Sequence, residues 1–170
     1  MQMKRTLFLA LVLCGLTWAV AGQERESNKG GKNTMSEQKN FQLLHPDTMP
    51  KSIGYSQLAT VSGGTIVFIS GQVALDKSGN VVGKDDFRAQ AQQVFENLKA
   101  AVEAAGGTFD DVIKINSYVL DVSHVPEFRE IRDKYVNVKS PPASTAVQVS
   151  KLFRPEFLVE IEAVAVVKKK

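Results

Sequence analysis

Two carboxylates, Glu160 and Glu162, lie two residues apart in an apolar run near the end of the chain. They alternate with Val159, Ile161 and Ala163, so in a strand both carboxylates point to one face. A carboxylate among aliphatic side chains either reaches a wet cleft or is costly to bury. In a cleft it can align or deprotonate a water molecule. The pattern therefore predicts a functional role for at least one of them; the alternative is pairing with Lys or Arg at a subunit rim.

Other residue types that commonly carry chemistry are few. The chain has two histidines, His45 and His124, and neither has the spacing of a metal ligand. His124 lies beside a predicted helix start, where a surface or capping role is expected. Cys14 is the only cysteine, and it falls in a segment that we expect to be removed. The sequence therefore predicts no metal site, no disulfide and no thiol nucleophile in the mature protein.

The N-terminus has the order of a secretory signal peptide. Lys4 and Arg5 precede an apolar run, and residues 19–21 (Ala-Val-Ala) offer a cleavage site. The apolar run is shorter than the roughly 20 residues of a membrane span. We therefore predict a signal peptide over residues 1–21, cleaved after Ala21, and a periplasmic or secreted protein without membrane contact.

A polar segment follows the predicted signal peptide. Residues 22–40 contain a single large apolar side chain, Met35, and are predicted to form a disordered linker before a folded domain over residues 41–170. Three alternatives stay open for the N-terminus: a retained anchor, a lipoprotein attached through Cys14, and a cytosolic protein that begins at Met35.

The charge of the chain is close to balanced. Its 21 basic and 18 acidic side chains give a net charge of +3, and removal of Lys4 and Arg5 leaves 19 basic against 18 acidic. Three lysines of the tail, residues 168–170, account for much of that basicity. We therefore predict no nucleic-acid partner.

Hydrophobic periodicity predicts the element order β-β-α-β-α-β-β. The first two strands are predicted to form a hairpin through Ser62-Gly63-Gly64. Asp85 or Asp86 is the expected cap of the first helix, and Ser123 that of the second. In the third strand, alternation places Val112 on the face of Tyr118. The strands are predicted over residues 54–61, 65–72, 111–120, 143–150 and 157–167.

Each predicted helix has one apolar face, so both helices are expected to cover one side of a single sheet. The other side of that sheet still carries apolar residues from several strands. A soluble monomer seldom leaves such a patch exposed. The pattern therefore predicts an oligomer that buries the second face.

Five short segments resemble those of the Rid/YjgF superfamily in order and spacing. The resemblance extends over most of the predicted domain. It implies a chorismate-mutase-like α+β fold, a homotrimer, and a ligand cleft at each subunit interface. The segments are IGYSQ at 53–57, ISGQ at 69–72, DVIK at 111–114, PAST at 142–145 and VEIEA at 159–163.

The resemblance also implies an activity and the residues that carry it. Family members hydrolyse reactive enamines and imines, such as 2-aminoacrylate and 2-iminobutanoate, to 2-keto acids and ammonia, without a metal or cofactor. Glu160 matches the glutamate that positions the attacking water. Tyr55 and Gly71 match residues of the substrate cleft, and Ser144 stands where deaminating members have an arginine that binds the substrate carboxylate.

The serine at position 144 is the main departure from the family pattern. A guanidinium offers a charged, two-pronged donor to a carboxylate, whereas a serine hydroxyl offers one neutral donor. Ala146 also replaces a family cysteine, and Lys151 and Arg154 are nearby cations that can substitute for the arginine. Two functions are therefore carried forward: imine or enamine hydrolysis, and non-catalytic binding of a small metabolite or of unfolded clients.

Overall fold

The structure is a computed structural model, and it describes residues 39–169. The predicted signal peptide over residues 1–21 lies outside the described residues, as does the predicted linker up to residue 38. Within residues 39–169, no helix is long and apolar enough to cross a bilayer.

The described part of the chain contains six strands and two helices. The first strand, β1, begins at Phe41 and pairs antiparallel with β2. The other four strands form a mixed sheet in the order β3-β6-β4-β5, in which only the β4–β5 pair is parallel. This arrangement confirms the α+β fold. The elements are β1 (Phe41–Leu44), β2 (Leu58–Val61), β3 (Thr65–Gln72), α1 (Phe87–Ala104), β4 (Val112–Val119), α2 (Val125–Arg132), β5 (Ala143–Gln148) and β6 (Val159–Val167).

The prediction of a hairpin between β2 and β3 is wrong. Strand β2 forms its backbone hydrogen bonds with β1, and the Ser62 N–H continues that pairing by donating to the Asn40 carbonyl at 2.8 Å. Gly64 adopts a φ of +87°, which favours glycine, and β3 then pairs with β6. A turn signal specifies that the chain changes direction, but not that the flanking strands pair. Strand β1, which has four residues, was not predicted.

Helix α1 begins where the sequence indicates. Asp86 is the N-cap, and its carboxylate accepts a hydrogen bond from the Ala89 N–H at 3.0 Å. Gly106, with a φ of +84°, follows the helix end. The buried face of the helix packs against the aliphatic residues of β6 and against α2. Its buried residues are Phe87, Gln90, Ala91, Val94, Phe95, Leu98 and Val102.

The start of α2 differs from the expectation that Ser123 caps it. Asp121 accepts a hydrogen bond from the Ser123 N–H at 2.8 Å, which closes a short turn, and α2 begins two residues later at Val125. His124 occupies the cap position, but its side chain forms no capping hydrogen bond with the helix backbone. Pro126 prefers the φ of a first helical turn and has no backbone N–H. The first turn of α2 therefore has one N–H group fewer that needs an acceptor.

Both helices pack on one face of the four-stranded sheet. The core there contains the side chains of β6 that point toward the helices, Val159, Ile161, Ala163 and Ala165. A register shift between Val112 and Lys114 interrupts the alternation of β4. Val112 therefore joins the helix-side core while Ile113 points to the second face, contrary to the simple period of two.

The second face of the sheet is only partly covered. Strands β1 and β2 pack there through Phe41, which contacts a small cluster that includes Ile113 and Val166. Ile66 and Phe68 of β3 pair in register with Val166 and Val164, so they share this face. They stay 49% and 80% exposed, respectively. An apolar surface therefore remains on the face opposite the helices.

Candidate functional site

Tyr55 is held at the edge of the sheet by its neighbour Ser56. The Ser56 N–H donates to the Pro142 carbonyl at 3.1 Å, and the Ser56 hydroxyl donates to the Pro141 carbonyl at 2.6 Å. Ser56 is buried and also forms an isolated bridge with Ala143, the first residue of β5. These bonds attach the glycine-tyrosine-serine segment to the start of β5. They place Tyr55 near Ser144.

Tyr55 and Ser144 line one cleft of about 350 Å³, which we call the arginine cleft. Two cations of α2, Arg129 and Arg132, also line it, and no acidic residue does. The remaining lining residues are Ile53, Val125, Phe128, Thr145 and Ala146. The residues that line the cleft therefore combine three hydroxyl groups with two guanidinium groups.

Arg132 is the residue of this cleft that the sequence analysis missed. It is 6% exposed, and its Nε and Nη2 atoms donate to Asp133 Oδ1 at 2.9 and 2.7 Å. A β-carbon added to Gly54 would lie 3.1 Å from Arg132 Nη2, so the glycine gives the guanidinium room. A signal was present in the sequence: Arg132 follows Phe128 by four residues and so falls on the apolar stripe of α2. Arginine is seldom fully buried unless it is paired.

The two nearby cations that were considered as substitutes for the missing arginine, Lys151 and Arg154, lie elsewhere. Arg154 forms an ion pair with Glu156 at 3.0 Å, and its guanidinium lies 5.0 Å from the ring centroid of Phe157. Lys151 lines a different cleft. Neither residue lines the arginine cleft.

Glu160 lies in that second cleft, of about 320 Å³, which we call the glutamate cleft. Among the described residues, its carboxylate forms no hydrogen bond or ion pair. The carboxylate lies over Gly71, where an added β-carbon would overlap Glu160 Oε1. The other residues that line the glutamate cleft are Tyr118, Val149, Lys151, Leu152, Phe153 and Glu162. The structure therefore brings Gly71 and Glu160 together and leaves the carboxylate open to a ligand.

Glu162, the second carboxylate of β6, is engaged by its own sheet. Its Oε1 atom accepts hydrogen bonds from Asn116 Nδ2 at 2.8 Å and from the Tyr118 hydroxyl at 3.1 Å. The hydrogen bond to Glu162 raises the pKa of Tyr118, and burial adds to the shift. Burial lowers the pKa of Lys114, which the charge of Glu162 partly opposes. Glu162 thus organises the sheet surface, whereas Glu160 keeps free acceptor atoms.

The two clefts lie on opposite faces of the sheet. Ser144 pairs in register with Ile115, whose side chain belongs to the helix-side core. Glu160 pairs with Tyr118, which points to the other face. Because side chains alternate along a strand, Ser144 and Glu160 cannot meet within one chain. The four predicted site residues therefore form two pairs, Tyr55 with Ser144 and Gly71 with Glu160.

The histidines take structural positions. His45 contacts the hydroxyl groups of Ser52 and Ser56 at 3.0 and 3.2 Å. The ring of His124 stacks on Phe87 with centroids 4.3 Å apart, and its Nδ1 lies 3.3 Å from Glu127. Residues 39–169 contain no group of three or more His, Cys, Asp or Glu side chains that could hold a metal ion.

The approach of Glu160 to Gly71 gives a first prediction. Gly71→Ala should lower the free energy of unfolding by about 1 kcal/mol or less, because the new methyl group must turn the flexible, unpartnered Glu160 side chain away. Urea denaturation of the variant measures the loss. In a Glu160→Ala background the same substitution should cost less. Gly63→Ala is the matched control, since its β-carbon would meet Asn40 only at 3.5 Å. Equal losses in both backgrounds would contradict the contact.

The hydrogen bond from Tyr118 to Glu162 gives a second prediction. Ionisation of Tyr118 removes the donor and places a phenolate beside a carboxylate, so Glu162→Ala should lower the pKa of Tyr118 toward its ordinary value. Tyrosine ¹³Cζ shifts followed by NMR against pH measure the change. Tyr135 is an internal control, because its pKa is raised by burial and by a hydrogen bond to Glu96. A Tyr118 pKa that does not move in the variant would refute this explanation.

The sequence matches the protein family described as Endoribonuclease L-PSP over residues 47–167, which is more than half of the chain. A RutC family protein of Pyrococcus horikoshii is 40% identical over 126 residues, which cover 73% of this chain and 96% of that protein. The 2-iminobutanoate/2-iminopropanoate deaminase of Dermatophagoides farinae is 35% identical over 127 residues, which cover 74% of this chain and 95% of that protein.

A solved structure is also similar. The crystal structure of a protein of the conserved Rid family from Yersinia pestis superposes with a TM-score of 0.68 at 34% sequence identity. The similarity covers 76% of this chain and 100% of that chain. Sequence, fold and the order of the five family segments agree over the same part of the molecule. The chain belongs to the Rid/YjgF superfamily.

Proposed function

We propose that this protein is an exported homotrimer that hydrolyses a small reactive imine or enamine to a carbonyl compound and ammonia, in clefts between subunits. The observation that carries the proposal is the division of the site. Tyr55 and Ser144 lie on one face of the sheet, while Gly71 and Glu160 lie on the other. A single chain therefore holds two half-sites, and a second copy can complete each of them.

The exposed apolar surface supports the assembly. Phe68 and Ile66 lie on the face that carries the glutamate cleft, and burial of such a surface against another copy is favourable by about 25 cal/mol per Å². Three copies arranged around an axis would present the glutamate cleft of one subunit to the arginine cleft of the next. The deaminase relative from Dermatophagoides farinae supports the type of chemistry.

The chemistry requires little from the protein. Water adds to the carbon of the C=N bond, and the carbinolamine that forms then releases ammonia to leave a carbonyl group. Glu160, which has free acceptor atoms, aligns the water and accepts its proton during the addition. The same carboxyl group returns that proton to the nitrogen, and as the C–N bond breaks it passes on the proton of the carbinolamine hydroxyl, so both protons of the water leave with ammonia. The hydroxyl groups of Tyr55 and Ser144 orient the ligand.

A non-catalytic role is the second candidate. The neutral Ser144 hydroxyl is the observation that favours it, because that position offers no charge to an amino-acid-derived substrate. In this case the clefts would bind a small metabolite without turnover, or the exposed apolar surface would bind unfolded clients. Absence of turnover together with saturable binding would support the metabolite binder.

The assembly leads to a prediction about oligomeric state. The mature protein, beginning at Gly22, should scatter light as a trimer, and Phe68→Glu should shift it toward monomer because a charge would be buried at the interface. Val138→Glu is the matched control: Val138 is an exposed apolar residue that follows α2 and lies outside the sheet. A wild-type protein that stays monomeric at all concentrations would refute the intersubunit site.

The reaction leads to a prediction about turnover. The mature protein should accelerate the decay of 2-iminobutanoate generated in situ, and Glu160→Gln should reduce kcat by about a hundred- to ten-thousandfold, the usual contribution of a general acid or base. Glu103→Gln, an exposed residue of α1, is the control for loss of one carboxylate. Wild-type and Glu160→Gln proteins that both leave the spontaneous rate unchanged would support the non-catalytic role.

A further inference from the structure

Arg132 has more N–H donors than it has hydrogen-bond acceptors among the described residues. A guanidinium has five N–H donors. Asp133 Oδ1 accepts from Nε and from Nη2, and no other residue among those described accepts a hydrogen bond from Arg132. Within residues 39–169, Ser117 Oγ is the one side-chain polar atom that is both fully buried and without a partner. The remaining N–H donors of Arg132 are therefore not fully buried, and they are accessible from the cleft that Arg132 lines.

The surroundings of Arg132 favour an anion. The residues that line the arginine cleft carry two guanidinium groups and three hydroxyl groups, and none of these residues is acidic. Asp133 is 43% exposed at its side chain, so water screens its carboxylate more strongly than it screens the buried guanidinium. A small anion that enters the cleft would meet a charge in a partly desolvated setting, where charge-assisted hydrogen bonds are strong.

The residues around the guanidinium are small where a ligand needs space. Gly54 has no side chain beside Arg132 Nη2, and its φ of +76° favours glycine. Ser144 and Ala146 also leave room in the cleft. An arginine side chain at position 144 would fill this space and bring a third positive charge beside Arg129 and Arg132. The small residue at 144 and the buried arginine at 132 are thus compatible with each other.

We propose that Arg132, from helix α2, is the residue that binds the carboxylate of a small monocarboxylate ligand in the arginine cleft, in place of a cation at position 144. The free N–H groups of Arg132 donate to the carboxylate oxygens, and the Ser144 hydroxyl donates to the same group. This inference rests on the proposed function for the identity of the site. It adds the residue of this chain that selects a carboxylate ligand.

Binding can be measured without turnover. The full chain should bind 2-oxobutanoate in calorimetric titrations and should bind the uncharged 2-oxobutanamide much more weakly. Arg132→Gln should weaken 2-oxobutanoate binding by about ten- to hundredfold, the loss expected for one charge-assisted hydrogen bond. Arg132→Lys should bind 2-oxobutanoate with intermediate affinity, because lysine keeps the positive charge but cannot form the bidentate hydrogen bonds of a guanidinium. Lys134→Gln, which removes an exposed charge just beyond α2, should bind as the unmodified protein does.

A second variant keeps the inference testable if Arg132→Gln does not fold. Ser144→Asp places a carboxylate in the cleft, so it should pair with Arg132, raise the Tm and abolish 2-oxobutanoate binding. Ser144→Asn has nearly the same shape without the charge and should do neither. Where the Arg132→Gln protein folds, adding Ser144→Asp should give no rise in Tm. A Ser144→Asp protein that has a lower Tm and still binds 2-oxobutanoate would overturn the proposal.

The outcomes separate this inference from the proposed reaction. Binding of 2-oxobutanoate that depends on Arg132, without turnover of 2-iminobutanoate, would support the carboxylate site and reject the hydrolysis. Turnover with an unchanged KM in Arg132→Gln would support the hydrolysis and overturn the role of Arg132. Equal affinity for 2-oxobutanoate and 2-oxobutanamide would also overturn it, since a carboxylate site must distinguish the two.

Discussion

The central position of β6 is the constraint on which the rest of the structure depends. This strand pairs antiparallel with β3 on one side and with β4 on the other. Its side chains alternate, so the aliphatic residues that pack under the helices force Glu160 and Glu162 to the opposite face. A shift of one residue would bury both carboxylates under α1. The hydrophobic core and the position of the candidate catalytic group are therefore set by the same register.

The same alternation divides the chemistry of the molecule. A carboxylate with free acceptors lies on the second face, and a cleft with guanidinium and hydroxyl groups lies at the edge of the first. The division keeps the negative and positive groups of one chain from neutralising each other by direct contact. In the proposed assembly each half-site depends on the surface of another copy, and the apolar residues left exposed on β3 would face such a copy. The cleft that Ser144 lines also contains the guanidinium of Arg132 from α2, which the neighbouring Asp133 binds.

Much of this organisation was predictable from the sequence, and the parts that were not share a physical cause. The cap at Asp86, the end of α1 near Gly106 and the apolar stripes of both helices depend on residues within a few positions of each other. The pairing of β2 with β1, and of β3 with β6, depends on segments that are distant in the chain. The register shift in β4 interrupts its alternation of side chains. The turn at Asp121 replaces the helix cap that was predicted at Ser123.

The sequence by itself determined the family, the α+β class and the identity of Tyr55, Gly71, Ser144 and Glu160 as the residues to examine, because hydrophobic period and short motifs are properties of neighbouring residues. Only the tertiary structure decided which of these residues meet. It placed Tyr55 with Ser144 and Gly71 with Glu160, since register and sheet order assign each side chain to a face. It also brought Arg132 into the cleft of Ser144, because residues of helix α2 and of β5 line the same cleft. Spacing along the chain places Arg132 on the apolar stripe of α2, but it does not show which strand residues line the same cleft.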